Sequence, residues 1–388
     1  MRIVADQNIP FVEACFSSIG QVETLPGRAL TAEQAADADV LLVRSVTKVD
    51  ESLLSGSRVR FVATATIGIE HVDTDYLAAN GIGFASAPGS NANSVAEYVV
   101  ATLLSLGKKY NIELAGTSIG VIGVGNVGSR VARKCAALGM AVRLNDPPLA
   151  RQTGDPKYRP LDALYDCDCI TLHTPLTRQG PDKTYHLADA AFFKSLKPGA
   201  FFLNTSRGGV HDTAALKNAM ADGKLGGVVL DVWENEPNID ADLLGRVDLA
   251  TPHIAGYSFD GKVIGMLMIY RAVCEHFGLR PAHTEADFLP APDVPEIALT
   301  SKQLDAPGEQ IIDEVVRQVY DISRDDLNTR EMLALPPQQR GAFFDRLRKE
   351  YPRRREFQNT TVGLPNGSFG HPLADVLSGI GFQVREQR

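Results

Sequence analysis

Three loops in the second half of the chain each carry a side chain able to hold or move charge. The run "FFLNTSRGG" offers Arg207, "VVLDVWENEP" offers Asp231 and Glu236, and "DLATPHIAG" offers His253. A histidine titrates in the range that a general base needs at neutral pH. A carboxylate paired with it would fix the ring tautomer and favour the imidazolium that forms as a proton arrives. An arginine adds a planar fork that matches a carboxylate and positive charge beside a carbonyl oxygen. Each loop follows an apolar run, and open α/β sheets bind ligands outside the carboxyl ends of their strands. One crevice could therefore gather these groups, although spacing alone does not bring them together. Taken singly, a histidine beside apolar residues is more often structural than catalytic.

A second constellation lies upstream, in "SIGVIGVGNVGSRVARKCAALGMAVRLND". Gly123, Gly125 and Gly128 form G-x-G-x-x-G between an apolar run and an amphipathic stretch, and Asp146 closes the next apolar run 18 residues after the third glycine. The first glycine suits a tight turn, the second lets backbone approach a pyrophosphate, and the third permits close helix–strand packing. Unpaired N–H groups of the helix start, at Asn126 and Val127, would face the phosphate charge. Asp146 can accept from a ribose diol and would repel a 2′-phosphate, so NAD is favoured over NADP. Isolated, the glycine pattern is weak; strand, helix, second strand and terminal acid together make it strong.

The elements that must position these groups are short apolar runs alternating with helical stretches. "RIVAD", "DVLLVRS", "RFVATAT" and "GIGFASA" predict a first series of strands. "TSIGVIG", "MAVRLND", "CDCITLHTP", "AFFLNTS", "GGVVLDV" and "VDLATPH" predict a second, more continuously apolar series, as expected where helices cover both faces of a parallel sheet. Between them "GSNANSVAEYVVATLLSLGKKYN" predicts a long buried helix. From about Pro281 proline becomes frequent, and "GEQIIDEVVRQVYDISRDD" predicts helix in a third, smaller domain.

Composition narrows the class. The chain has 388 residues, 44% hydrophobic and 22% charged, enough apolar material for two or three cores. A net charge of −8 argues against a general nucleic-acid binder, whose basic face must neutralise phosphates. No apolar run is long enough to cross a bilayer, and "MRIVADQNIP" does not read as a signal peptide, so a cytoplasmic protein without a membrane partner is expected. The five cysteines lack disulfide or zinc-site spacing; all are expected to be reduced and structural, and no metal is expected.

The joint occurrence of the fingerprint with "TSRGG", "DVWENEP" and "TPHIAG" resembles the D-isomer-specific 2-hydroxyacid dehydrogenases, with Arg207, Glu236 and His253 matching that family's catalytic Arg, Glu and His in identity and order. The resemblance implies two doubly wound α/β domains with a cleft between them: a flavodoxin-like substrate domain, residues 1–97 and 256–285, and an inserted Rossmann NAD domain, residues 98–255. It further implies cofactor roles for Thr174, Thr205, Ser206, Asp231 and Gly256. The chemistry suits the residue types, because oxidising a 2-hydroxy acid needs a base for the hydroxyl proton while hydride leaves the same carbon.

Four further stretches, "RIVADQNIP", "LLVRSVTKV", "ATATIGIEHVD" and "HIAGYSFDGK", with "VYDISRDD" and "FDRLRKEYPRRREF" near the end, are similar to the branch of that family acting on a phosphorylated four-carbon 2-hydroxy acid on the way to pyridoxal phosphate. This likeness implies Ser45, Thr66 and Tyr257 as substrate ligands. It also implies a small α+β dimerisation domain over residues 286–388, hence a homodimer. Arg44, Ser45 and Lys48 after an apolar run are consistent with an anionic substrate. The cluster Arg353, Arg354 and Arg355 could reach an active site across a dimer, but a charge run is more often a solvated face, the reading preferred for it, and His211 in "SRGGVHDT" reads as a surface or helix-start residue. Two alternatives stay open: another D-2-hydroxy acid such as a phosphorylated acid one carbon shorter, and a non-enzymatic NAD-sensing corepressor of the same fold.

Overall fold

The computed structural model describes every residue except Phe369 and Arg388. Contacts divide the chain into two units, Met1–Asn91 with Ser258–Pro290, and Ala92–Tyr257 with Ala291–Arg388.

In the first unit, strands β1 (Arg2–Asp6), β2 (Gln21–Leu25), β3 (Val40–Val43), β4 (Phe61–Thr64) and β5 (Gly83–Ala85) form a parallel sheet in the order β2-β1-β3-β4-β5, the flavodoxin-like arrangement. The two-residue side-chain period of a strand sorts their residues to opposite faces. Ile3, Ala5, Val40 and Leu42 meet Met266, Tyr270 and Val273 of the helix Phe259–His276 on one face. Val4, Leu41, Val43 and Val62 meet Ala35, Leu54 and Leu77 on the other. The helix after Tyr257 thus returns to the first sheet. Strand β2 was not predicted: "QVETL" is a partly exposed edge strand without a strong apolar pattern.

In the second unit, β6 (Ser118–Ile122), β7 (Ala141–Asn145), β8 (Cys169–Leu172), β9 (Ala200–Asn204), β10 (Leu225–Leu230) and β11 (Leu249–Ala250) form a parallel sheet in the order β11-β10-β9-β8-β6-β7. Every strand predicted for the second series is present. The direction of winding reverses between β6 and β8, so the ends of these two strands form the switch point where such sheets bind ligands. One face packs on the long helix Ala92–Tyr110, which starts six residues before the expected boundary at residue 98. The five cysteines are buried and free.

The segment after Ala291 adds a three-stranded sheet of its own, β12 (Glu296–Ala298), β13 (Thr361–Leu364) and β14 (Gln383–Glu386), with all pairs parallel. Among the described residues its apolar side chains do not form a separate cluster. Ile297, Ile311, Val315, Phe357 and Leu377 share one apolar cluster with Tyr98, Val99 and Val121, and Phe343 and Phe344 join the cluster on the other face of the second sheet. The predicted helix over "GEQIIDEVVRQVYDISRDD" is two helices, Gly308–Val319 and Ile322–Arg330. Tyr320 between them is extended, and Asp321 caps the second helix through the Ser323 N–H.

Candidate active site

The glycine-rich turn leaves β6 at the switch point. Gly123 has φ +86°, and a Cβ there would lie 2.8 Å from the His173 carbonyl at the end of β8. At Gly128 a Cβ would lie 1.9 Å from the Gly123 oxygen, so only glycine lets the helix Asn126–Ala137 sit this close to the turn. At Gly125 a Cβ would project into open space, and this N-cap residue supplies no side-chain cap. The first-turn N–H groups, including those of Asn126 and Val127, are therefore available to an anion. Asp146 is held in place by two backbone donors, Val124 N–H to Oδ2 at 2.8 Å and Leu149 N–H to Oδ1 at 3.0 Å. Thr174 Oγ1 is buried and has no hydrogen-bond partner among the described residues. An open cradle at a helix start, an oriented acid at the next strand end and an orphaned hydroxyl fit a dinucleotide.

Arg207 follows β9 through Asn204, a fully buried amide that sequence reading did not single out. Asn204 Oδ1 accepts from the Ser206 N–H (3.0 Å) and hydroxyl (2.8 Å), and its Nδ2 donates to the Arg207 carbonyl (3.0 Å) and meets His211 Nδ1 (2.9 Å). Arg207 Nη1 in turn donates to the Ser206 carbonyl at 2.8 Å. His211 is not at the surface as expected. It precedes the N-cap residue Asp212 but is wholly buried, and desolvation pushes its pKa down to about 4, so the ring is neutral. Thr205 Oγ1 pairs with His173 Nδ1 at 3.1 Å, while Thr171 holds the other ring nitrogen at 3.0 Å. A Cβ at Gly208 would fall 1.9 Å from the Trp233 carbonyl oxygen, so the second half of "SRGG" lets the Arg207 loop press on the loop that carries Glu236.

Glu236 uses both carboxylate oxygens. Oε1 accepts from the Trp233 N–H at 2.8 Å and Oε2 lies 2.7 Å from His253 Nδ1. Burial works to raise its pKa, but the His253 ring, the Trp233 N–H and the Arg348 charge together hold the carboxyl below the usual glutamate range. His253 itself has φ +59°, a left-handed conformation unusual for a non-glycine residue. Asp231 holds it there. Its carbonyl accepts the His253 N–H at 2.7 Å, and its carboxylate Oδ1 accepts from Ile254 N–H (2.7 Å), Ala255 N–H (3.1 Å) and the Thr251 hydroxyl (2.6 Å). The Tyr98 hydroxyl, on the long helix, completes the chain at Thr251 Oγ1. With Nδ1 donating to the carboxylate, His253 Nε2 is left with its lone pair as a proton acceptor, and the side chain is 30% exposed.

Comparison with known proteins decides which family builds this arrangement. Residues 93–255 match the model of the D-isomer specific 2-hydroxyacid dehydrogenase NAD binding domain. Erythronate-4-phosphate dehydrogenase from Salinibacter ruber is 49% identical, over 93% of this chain and 94% of that protein. The chain belongs to the D-isomer specific 2-hydroxyacid dehydrogenase family. Among solved structures, D-lactate dehydrogenase from Aquifex aeolicus, complexed with NAD and lactic acid, matches with TM-score 0.59 and 28% identity over 72% of this chain and 96% of its own. The NAD-bound 3-phosphoglycerate dehydrogenase of Entamoeba histolytica matches with TM-score 0.61 and 25% identity over 72% and 95%. Residues 288–377 match a model described only as a domain of unknown function, DUF3410. In this dehydrogenase, then, NAD is the cofactor and the fingerprint belongs to its binding domain.

The remaining predicted residues lie in loops that follow strands. Ser45 is exposed in the loop after β3, and Thr66 follows β4, the neighbouring strand in the first sheet. The Thr66 hydroxyl donates to the Gly68 carbonyl (3.0 Å) and lies 2.7 Å from Thr64 Oγ1. Lys48 is drawn to Asp50 at 2.6 Å. Gly256 lies in the turn after Ala255, closed by the Tyr257 N–H to the Ile254 carbonyl at 2.8 Å. The arginine cluster corrects the expectation of a solvated face, since of its three members Arg353 alone is exposed. Arg354 is buried, donates to the Ala255 carbonyl at 2.6 Å and to the Ser94 hydroxyl, and stacks its guanidinium 4.2 Å from the Tyr320 ring centre. Arg355 donates to Asn359 Oδ1 at 2.7 Å. Asn204, Thr251, Arg348 and Arg354 surround these groups; sequence reading gave no role to Asn204, Thr251 or Arg348, although all three lie in stretches that it singled out, and it read Arg354 only as part of a charge cluster. The polar residue ending the apolar run "FFLN" is the signal that could have pointed to Asn204.

Proposed function

We propose that the protein oxidises 4-phospho-D-erythronate at C2 to 2-oxo-3-hydroxy-4-phosphobutanoate, in the pathway to pyridoxal 5′-phosphate. The observation that carries the reading is the His253–Glu236 pair at 2.7 Å, in a chain alike over almost its full length to an erythronate-4-phosphate dehydrogenase. His253 Nε2 takes the C2 hydroxyl proton, and Glu236 stabilises the imidazolium so formed. Arg207 holds the substrate carboxylate and polarises the C2 oxygen as it becomes a carbonyl. Gly123, Gly125, Asn126, Val127 and Gly128 would hold the pyrophosphate of NAD, Asp146 a ribose, and Thr174, Thr205, Ser206, Asp231 and Gly256 its nicotinamide end. Bound NAD would supply the acceptor for the hydride that leaves C2. Ser45, Thr66 and Tyr257 are assigned to the substrate.

The same reading gives residues 1–97 with 256–285 to substrate binding, 98–255 to NAD and 286–388 to a homodimer contact, in a cytoplasmic protein. Among the described residues no helix is long and apolar enough to cross a membrane. Light scattering on the purified protein tests the dimer. The activity is tested by offering the protein NAD, a 2-oxo acid as final acceptor, and 4-phosphoerythronate, 3-phosphoglycerate or D-lactate. Preferred turnover of the first is expected, and brisk turnover of another with none of the first would replace the assignment. NAD binding without turnover of any would favour the corepressor-like alternative.

A further inference from the structure

The segment that matches a domain of unknown function sends a cation toward the acid–base pair. The helix Pro337–Lys349 crosses the loop that carries Glu236: a Cβ at Gly341 would lie 2.5 Å from Asn238 Oδ1 and 3.5 Å from Pro237 Cγ, and Phe343 and Phe344 share an apolar cluster with Trp233 and Ile239. So anchored, its last turn brings the Arg348 guanidinium 5.8 Å from the centre of the Tyr257 ring and 5.9 Å from that of Phe344. Arg348 also stands in hydrogen-bonding contact with the Tyr257 side chain and within electrostatic reach of Glu236.

These contacts do not use every donor of the cation. Its Nε is buried with no hydrogen-bond partner among the described residues, and a desolvated donor left without an acceptor is costly enough to call for one. Its neighbours define which acceptor. A phosphorylated substrate reaching Tyr257 must bring a dianion close to the ionised Glu236, and that repulsion needs a compensating positive charge. A guanidinium, with donors in a planar fork, matches phosphate oxygens better than an ammonium does.

We propose that Arg348 is a specificity-determining residue of this site, its guanidinium and the Tyr257 hydroxyl together binding the phosphate ester of the substrate. The proposal rests on the reading of the substrate as a phosphorylated 2-hydroxy acid. It gives the C-terminal segment a role in substrate choice in addition to assembly.

The test compares wild type, Arg348→Lys, Arg348→Gln and Arg348→Met. The measured quantity is the ratio of kcat/KM for 4-phosphoerythronate to that for unphosphorylated erythronate, with thermal unfolding and NAD binding as folding controls. The ratio is expected to fall roughly 10- to 100-fold in Arg348→Met and Arg348→Gln and to recover in part in Arg348→Lys. Inhibition by inorganic phosphate should weaken in the same order. An unchanged ratio in folded Gln or Met protein overturns the proposal. Equal losses on both substrates also overturn it, since they would mark Arg348 as a support for Glu236 alone. If Arg348→Met does not fold, Arg348→Gln decides. A wild type that does not act on 4-phosphoerythronate would remove the functional reading and this proposal with it, whereas an active wild type with an unchanged ratio removes only this one.

Discussion

Asp231 holds His253 from behind: the aspartate's carbonyl accepts the histidine N–H at 2.7 Å, and its carboxylate Oδ1 takes the next two N–H groups of the same turn. His253 can therefore sit in a left-handed backbone conformation while its ring keeps a fixed direction, with Glu236 2.7 Å from Nδ1. Strain of this kind persists where surrounding bonds over-determine it.

His253→Asn separates chemistry from loop geometry, because asparagine tolerates φ > 0 better than most residues. Turnover should fall by roughly 10²- to 10⁴-fold, with NAD affinity and melting temperature close to wild type. Steady-state kinetics and NAD titration check this. Turnover near the wild-type level would deny His253 the proton-transfer role.

Glu236→Gln keeps an acceptor oxygen but loses the charge. The folded carboxyl lies below its ordinary value, so the stabilisation from ionised Glu236 is complete above the unfolded value of about 4.3 and is lost as pH falls through the lower folded value. The stability difference between wild type and Glu236→Gln should accordingly be largest near neutrality and shrink in acid. Denaturant unfolding at several pH values measures it. A difference that grew on acidification would contradict the depressed carboxyl.

His211 gives a second pH effect of known sign. Its folded pKa is about 4, well below the ordinary value of about 6.5, so between these values the unfolded chain takes up a proton that the folded one refuses. Stability should fall with decreasing pH across that window by up to about 1.4 kcal/mol per pH unit from this group. His211→Gln should flatten the slope, and an unaltered slope in that variant would assign the effect elsewhere.

These residues show where sequence reading stopped. The second sheet was legible strand by strand because burial on both faces leaves continuous apolar runs, and the fingerprint because glycines at fixed spacing are needed where Gly123 and Gly128 meet backbone. His253 and Glu236 were legible as residue types, and their pairing is a tertiary fact. The short edge strand β2 and the C-terminal strands β12 and β14 have too little apolar pattern to stand out. Arg354 and His211 were misread for one reason: a polar side chain is assigned to solvent until its buried partners, here Ser94, Ala255 and Asn204, are known.

Asp231 itself distinguishes a structural carboxylate from one that matters only to cofactor. Burial raises its pKa, and Oδ1 serves three donors. Asp231→Ala should cost about 3 kcal/mol or more, since it leaves two backbone N–H groups and the Thr251 hydroxyl without that acceptor. Asp231→Asn keeps the acceptor oxygen and should cost much less. Thermal and denaturant unfolding of the two variants would show equal losses if the loop did not depend on Oδ1.

Gly208→Ala tests the contact between the Arg207 and Glu236 loops without touching a charged group. The added methyl would lie 1.9 Å from the Trp233 oxygen and 2.5 Å from the Glu234 nitrogen, and both are backbone atoms that cannot rotate away. One loop must retreat, moving either Arg207 or the Trp233 N–H that orients Glu236 at 2.8 Å. A displacement of about 1 Å at reacting groups is enough for roughly a 10²-fold loss in rate, so kcat/KM should fall by that order while the isolated NAD affinity changes little. A Gly208→Ala protein with wild-type kcat/KM would mean that the two loops are positioned independently.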